Sequence, residues 1–185
     1  TNWASVVVAT NNGVVRRVYV SGNISGGHRS SAVVSWNNNV VEDSYCVATV
    51  SGKVESGGIA AVAEANSMIR NCYAVPVVFS KNNNTGGICA YAYEKAIIKN
   101  CAVLGGLIEN GGTNNIARIV GRTNGNPILL NNIASENALV QDARVSSTDA
   151  ESKQGCTVDR TELESPAIYI NILQWDFADC WEMDN

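Results

Sequence analysis

The chain has 185 residues, of which 45% are hydrophobic, 16% charged and 6% aromatic, and its formal net charge is −4. This length predicts one domain, or one domain with an appendage, that can bury a sizeable core without metals or disulfides. The net negative charge provides no overall electrostatic attraction to nucleic acid or to an anionic membrane surface. Abundant valine, asparagine and glycine favour strands and turns, which excludes a helix bundle and a disordered chain.

Neither a membrane span nor a targeting signal is recognisable in the sequence. No apolar run approaches the roughly 20 residues that a membrane-spanning helix requires. The chain begins Thr1-Asn2-Trp3, with neither an initiator methionine nor the pattern of a signal peptide. This start is typical either of a fragment boundary or of the mature end of a processed chain, and we expect the native protein to be longer and to carry other domains.

Metal binding and thiol catalysis are both disfavoured by the residues available. The six cysteines lie at positions 46, 72, 89, 101, 156 and 180 without a CxxC pair, and His28 is the only histidine. A zinc site would need mostly thiolates, and we expect no metal and no cofactor. Four of the cysteines occupy repeated apolar positions, which predicts thiols packed as small hydrophobes. Cys156 and Cys180 flank the C-terminal segment and could pair.

An internal repeat is the main signal in this sequence. A leading apolar residue recurs at Val15, Val41, Ile69, Ile98 and Leu130, with spacings of 26, 28, 29 and 32 residues. A second apolar anchor follows nine residues later in each copy, at Ile24, Val50, Val78, Leu107 and Leu139. A third anchor precedes the first as an apolar pair, at Val33 and Trp36, Ile59 and Val62, Ile88 and Tyr91, and Ile116 and Ile119.

The repeat predicts an all-β fold, a parallel β-helix or solenoid. Each copy holds three short apolar runs separated by glycine, asparagine and serine clusters such as 37–39, 81–84 and 111–115. Runs of four to six residues suit strands, and stacked coils bury a continuous core that no single copy could bury. We predict three strands per coil, about five coils, and a solenoid domain over residues 1–145. The longest loop, around 123–127, should protrude.

The repeat frame also stacks particular side chains into columns. Asn71, Asn100 and Asn132 share a column with Asp43, and form either a ladder for a polar ligand or an asparagine ladder that bonds along the stack. Tyr19, Tyr45 and Tyr73 lie between inward positions, so strand alternation points them outward. This aromatic strip is the candidate binding site, for sugar rings or a protein partner, unless the C-terminal segment covers it.

The remaining residues, 146–185, predict a linker loop and a capping segment. Residues 146–154 are polar, Thr161 and Glu164 have the spacing of a capping box, and Pro166 suits the start of a second helical turn. The apolar residues that follow would cover the exposed end of the solenoid. Trp3 and Trp36 are expected near the N-terminal end, where they could cap the core.

These motifs resemble GLUG repeats, whose pattern is a Gly-Gly-apolar start followed by apolar-x-Asn-Cys-Tyr-Ala. The segments from Gly57 to Ala74 and from Gly86 to Ala102 match best, and residues 3–140 fit as diverging copies. The tail 174–177 (Gln-Trp-Asp-Phe), with a Thr-Glu-Leu upstream and a second Trp at 181, resembles the end of such proteins. The resemblance implies a bacterial protein, secreted or surface-anchored and adhesin-like, without catalytic residues.

Three functions follow as hypotheses. The first is a non-catalytic extracellular module for cell adhesion, which binds a glycan or a host or cell-surface protein through loops and one solenoid face. The second is a carbohydrate-active β-helix enzyme, a lyase or glycoside hydrolase, which needs suitably spaced carboxylates. Its candidates are Glu42, Asp43, Glu55, Glu64, Glu94 and Glu109. The third is a passive spacer. We expect the protein not to be an enzyme.

Overall fold

The computed structural model describes residues 3–112 and 114–183, and they form a parallel β-solenoid of about five coils. Thr113, part of a predicted corner cluster, and the terminal positions 1, 2, 184 and 185 lie outside the described residues. Strands of successive coils pair in parallel, so the predicted fold class is confirmed.

The strands follow one another coil by coil. The first coil contains β1 (Trp3–Ala4), β2 (Val8–Asn11), β3 (Val14–Arg16) and β4 (Tyr19–Ser25). The second contains β5 (Arg29–Ser31), β6 (Val34–Asn37), β7 (Val40–Glu42) and β8 (Tyr45–Gly52). The third contains β9 (Glu55–Gly57), β10 (Ala60–Ala63), β11 (Met68–Arg70) and β12 (Tyr73–Ser80). The fourth contains β13 (Thr85–Gly86), β14 (Cys89–Ala92), β15 (Ile97–Lys99), β16 (Ala102–Val103) and β17 (Gly106–Asn110). The fifth contains β18 (Ile116–Ala117), β19 (Val120–Thr123), β20 (Ile128–Leu130), β21 (Ile133–Ser135) and β22 (Ala138–Val140).

The strands assemble into four sheets along the solenoid. The first strands of the coils form sheet A, and the second, third and remaining strands form sheets B, C and D. Sheets B, C and D correspond to the three strand positions predicted from the sequence. Sheet A adds a strand of two or three residues before each strand of sheet B. The bend between the two strands has three residues in the first coil and two in the others.

The core is built from columns of branched side chains, one from each coil. The fully buried columns are Val33, Ile59, Ile88 and Ile119 between sheets A and B, Val41, Ile69 and Ile98 in sheet C, and Val50, Val78 and Ile108 in sheet D. Because parallel in-register pairing places like residues one above another, each coil buries the apolar face of the next.

The repeat frame slips by one residue near the C-terminal end of the solenoid. Ile98 pairs with Leu129, and Val78 pairs with Ile108. The predicted anchors Leu107, Leu130 and Leu139 are therefore wrong by one position. A one-residue slip turns a side chain to the opposite face, and Leu130 is accordingly 37% exposed. The extra residue of the fourth coil lies around Gly105–Gly106, which divides the long sheet D strand into two.

The C-terminal segment closes the last coil before it leaves the solenoid. Strand β23 (Cys156–Val158) pairs with β21. The Arg118 side chain is fully buried at this end and donates to the carbonyls of Gln154 and Gly155, at 3.1 Å each, and to Thr157 Oγ1 at 2.8 Å. Burial lowers the pKa of Arg118. These carbonyl and hydroxyl oxygens accept hydrogen bonds from the buried guanidinium, a role that a carboxylate often has.

Two helical segments follow β23. Helix α1 (Arg160–Leu163) is capped by a box formed by Asp159 and Glu162, so the predicted box of Thr161 and Glu164 is wrong by two residues. Pro166 begins the second helical segment, as predicted, and this segment continues as a π-helical turn over Ile168–Ile172.

The segment then covers the outer face of sheet D as well as the end of the solenoid. A second apolar cluster joins it to the sheet and contains Ala102, Ile133, Val158, Ile168, Tyr169, Leu173 and Trp175. The segment 174–181 passes back along the coils, from Asn100 in the fourth coil to Arg17 in the first. The apolar residues expected to form a cap thus also cover a side of the stack.

Trp3 and Trp36 are absent from the buried core cluster. Their rings stack on each other, with centroids 5.6 Å apart, on the outer side of sheets A and B. The prediction that they cap the core is wrong, because the outer corner between these two sheets accommodates them instead.

Candidate binding surface

A column of left-handed residues turns the chain from sheet C into sheet D. Its members are Arg17, Asp43, Asn71, Asn100 and Asn131, with φ between 48° and 55°. Asparagine is among the residues that tolerate this conformation best. Asn71 donates to Asp43 at 3.0 Å, Asn100 to Asn71 at 3.4 Å, and Asn131 to Asn100 at 3.3 Å. The side-chain amides hydrogen-bond to one another along the stack, which is the asparagine ladder of the two predicted alternatives.

Asn132 does not belong to this ladder, contrary to the prediction. Because the frame slips in the last coil, Asn131 takes the left-handed position and Asn132 is fully buried beside it. Asn132 accepts from the Cys101 amide and donates to the Ile98 carbonyl. It joins the last two coils of the stack.

The tyrosine strip begins two residues after the left-handed column. Tyr19 pairs with Tyr45, and Tyr45 pairs with Tyr73, in the register of sheet D. The ring centroids are 4.6 Å and 4.5 Å apart, close to the strand spacing of about 4.8 Å. The three predicted site residues therefore form one continuous stack on the outside of the solenoid.

Two tryptophans of the C-terminal segment cover one end of the strip. Trp181 lies 5.5 Å from Tyr73 and 6.0 Å from Tyr45 between ring centroids, and Trp175 lies 6.0 Å from Tyr73. Trp175 and Trp181 stack on each other at 4.7 Å. Tyr45 and Tyr73 are consequently half-buried, whereas Tyr19 remains 54% exposed.

The exposed end of the strip opens into a small surface cavity of about 190 Å³. Its lining consists of Arg17, Val18, Tyr19, Asp43, Tyr45, Asp179, Cys180 and Trp181. Arg17 and Asp179 form an exposed ion pair across the cavity, and the hydrogen bond to Asp179 raises the pKa of Arg17. This cavity combines aromatic ring faces with charged hydrogen-bonding groups.

Three of the eight residues that line this cavity could not be predicted from the repeat. The repeat places Tyr19 and Tyr45 side by side, but Asp179, Cys180 and Trp181 come from a segment far along the chain. No periodicity relates that segment to the first coil. Only the path of the C-terminal segment across sheet D brings the two together.

The cysteines offer no paired thiols in this structure. All six are free, and Cys46, Cys72, Cys89 and Cys101 are buried as predicted. Burial raises the pKa of Cys46 and of Cys89 to about 12, and raises that of Cys72 well above its usual value. Such thiols are protonated and inert at neutral pH.

Cys156 and Cys180 do not pair with each other. Cys156 lies on β23 beside the last coil, whereas Cys180 lines the cavity next to the first. Burial, with a further contribution from Asp43, raises the pKa of the Cys180 thiol.

Three of the six carboxylates proposed for catalysis are engaged by neighbouring side chains. Arg70 Nε donates to Glu42 at 2.8 Å, Asp43 accepts from Asn71, and Glu55 pairs with Arg29 at 2.8 Å. Within the described ranges, no group of three or more His, Cys, Asp or Glu residues is arranged to hold a metal ion. Helices long and apolar enough to cross a membrane are also absent from these ranges.

No protein-family model, no curated protein and no solved structure matches this chain. The resemblance to GLUG repeats therefore depends on the motifs of the chain itself.

Proposed function

We propose that this protein is a non-catalytic, adhesin-like binding module that holds a glycan at the open end of its tyrosine strip. The observation that carries the proposal is the Tyr19 ring, exposed on one face, stacked on Tyr45 and bordered by the charged groups of Arg17 and Asp179. Aromatic faces pack against the apolar side of a sugar ring, and neighbouring charged groups bond its hydroxyls.

The location proposed for this module is the cell surface or the extracellular space. The GLUG-like motifs around Gly57 and Gly86 support it, because that resemblance implies secreted or surface-anchored proteins. The rigid stack of coils suits a module that displays a surface at a fixed distance from its anchor.

Tyr19→Ala is the variant that tests the proposal most directly. It removes an exposed ring without unseating Trp175 or Trp181, which a change at Tyr45 or Tyr73 would disturb. A glycan array screened with the wild type should identify a ligand, and titration calorimetry should then show Tyr19→Ala binding it about tenfold more weakly or worse. Phe79→Ala removes an aromatic ring of similar exposure (39%) elsewhere on sheet D and should bind normally.

The alternatives give different results in the same experiments. A folded protein that retains no glycan on the array would favour a passive spacer. Cleavage of a polysaccharide, seen as new reducing ends or unsaturated products, would favour the enzyme. Equal weakening by Tyr19→Ala and Phe79→Ala would place the glycan away from the strip.

A further inference from the structure

The outer corner between sheets A and B holds a second cluster of aromatic and charged residues. One wall, on sheet A, contributes Arg29, Glu55 and Asn84, which occupy the same position in successive coils. The other wall, on sheet B, contributes Trp36, Val62, Tyr91 and Arg122, also in register. None of these residues touches the tyrosine strip of sheet D.

Glycines keep the two walls close together. A Cβ atom at Gly57 would overlap the carbonyl oxygen of Ala60, and one at Gly86 would overlap that of Cys89. The glycine-rich start of the repeat thus allows sheet A to fold back against sheet B. Side chains on the outer faces of the two sheets consequently meet, and Val62 between them is fully buried.

Two arginines in this corner rest on aromatic rings. Arg29 Cζ lies 4.5 Å from the centre of the Trp36 ring, and Arg122 Cζ lies 4.8 Å from that of Tyr91. Tyr91 in turn stacks on Tyr93, with ring centroids 4.5 Å apart. A guanidinium on a ring face has a fixed plane, and its N–H groups remain directed outward at the ring edge.

The two arginines differ in what they bind. The Glu55 carboxylate pairs with Arg29 at 2.8 Å and accepts a hydrogen bond from the Asn84 side chain. Arg122 is exposed, and its guanidinium has no ion pair or hydrogen bond with the residues that the structure describes. Asn84 Oδ1 is buried and likewise accepts no hydrogen bond from residues 3–112 or 114–183. The corner therefore presents an unpaired oriented cation at its surface, and a buried acceptor without a donor lies on the facing wall.

We propose that this corner is a second binding site, specific for a carboxylated saccharide of the uronate type. The carboxylate would form a two-point contact with the Arg122 guanidinium. The Asn84 side chain would turn outward so that its Oδ1, buried in the unliganded protein, accepts from a sugar hydroxyl, and the Tyr93 ring would border the apolar side of the sugar.

A saccharide fits this corner better than an acidic peptide. Asn84 Oδ1 lacks a donor. A uronate holds a hydroxyl donor directly beside its carboxylate on a rigid ring, whereas the nearest donor of an acidic peptide is a main-chain N–H that a flexible side chain separates from the carboxylate. Because Glu55 is already engaged by Arg29, its charge opposes the incoming carboxylate less than a free carboxylate would.

Affinity electrophoresis in native gels containing polygalacturonate tests the proposal. We expect the wild type to be retarded by polygalacturonate and not by neutral dextran. Arg122→Ala should weaken this retardation about tenfold or more, since a charge-assisted hydrogen bond is lost. Arg122→Lys, which keeps the charge but not the planar fork, should also be weakened. Arg16→Ala removes the same charge from an exposed position on sheet C and should behave as the wild type.

Several results would overturn the proposal. Absence of retardation of the folded wild type would do so, as would equal weakening by Arg122→Ala and Arg16→Ala. Retardation by polyglutamate as strong as by polygalacturonate would replace the saccharide with an acidic peptide. Tyr19→Ala should leave polygalacturonate binding unchanged, so failure at this corner and failure at the tyrosine strip can be told apart. Circular dichroism spectra of the variants establish that they are folded.

Discussion

Trp175 donates a hydrogen bond of 2.8 Å from its indole Nε1 to the main-chain carbonyl of Asn100, 75 residues earlier in the chain. Asn100 is a left-handed residue of the asparagine ladder, at the turn into sheet D. This single bond joins the C-terminal segment to the part of the stack where the coils change direction. It also sets the position from which Trp181 and Asp179 reach the first two coils.

Trp175→Ala should lower the free energy of unfolding by about 3–5 kcal/mol, because a buried indole is lost and the segment loses its anchor. Trp175→Phe keeps an aromatic ring but leaves the Asn100 carbonyl without its donor, and should cost about 1–3 kcal/mol. Urea denaturation measures both. Phe79→Ala, at an exposed ring on the same sheet, provides the control, and a Trp175→Ala loss no larger than that of the control would show that the segment is not anchored there.

Asn71 should tolerate glycine better than alanine. Its φ of 52° is left-handed, which costs alanine roughly 1–2 kcal/mol and glycine nothing. Both changes remove the hydrogen bond to Asp43, so the difference between their unfolding free energies isolates the backbone term. Asn124→Ala, at an exposed loop residue outside the ladder, should have little effect. Equal stability of the glycine and alanine variants at position 71 would contradict the prediction.

Arg118→Ala should destabilise the last coil by about 3 kcal/mol or more. It leaves the main-chain carbonyls of Gln154 and Gly155 without the donor that the guanidinium supplies, and it opens space at the end of the core. Arg118→Met fills most of that space but supplies no donor, which separates packing from hydrogen bonding. Thermal unfolding of both, with exposed Arg16→Ala as reference, provides the measurement. A melting temperature of Arg118→Ala equal to the reference would argue against a capping role.

The stability of the fold should depend on pH through Glu55. Burial raises the pKa of its carboxyl above the ordinary value of about 4.3, although Arg29 and Asn84 oppose the shift. A raised folded-state pKa means that the contribution of this group is fully present below the ordinary pKa. It is lost as the pH rises through the folded-state value.

The difference in unfolding free energy between the wild type and Glu55→Gln measures this contribution alone. As the pH is raised from about 4, the wild type should lose unfolding free energy relative to Glu55→Gln. A trend in the opposite sense for Glu55 would mean that Arg29 outweighs burial.

Thiol accessibility should divide the cysteines into two groups. Cys156 and Cys180 are partly exposed, whereas the other four are buried. A disulfide reagent such as Ellman's should therefore modify two thiols in the folded protein and all six in denaturant. Cys180→Ala should remove one of the two fast thiols. Modification of four or more thiols without denaturant would contradict the packing described for the cysteine columns.

The repeat in the sequence was sufficient to predict the solenoid, because stacking identical units requires like side chains to recur at like positions. Ile69 and Ile98, Asn71 and Asn100, and Tyr45 and Tyr73 all pair in the register expected. The frame failed near Gly105, where one residue was added, and again in the fifth coil, where Leu129 and not Leu130 continues the inward column. A period of two along each strand makes side-chain direction sensitive to a single-residue shift.

The outer surfaces were decided by tertiary structure. Strand periodicity distinguishes inward from outward side chains, but it contains no information about which outer face another segment will cover. Trp175 could have covered any apolar face of the stack, and its contact with Asn100 selects sheet D. In the same way, Arg122 contacts Tyr91 because the two residues are neighbours in sheet B. Arg17 contacts Asp179 because the C-terminal segment returns to the first coil. The sequence by itself determined the coil; contacts between distant residues determined the surfaces on which ligands can bind.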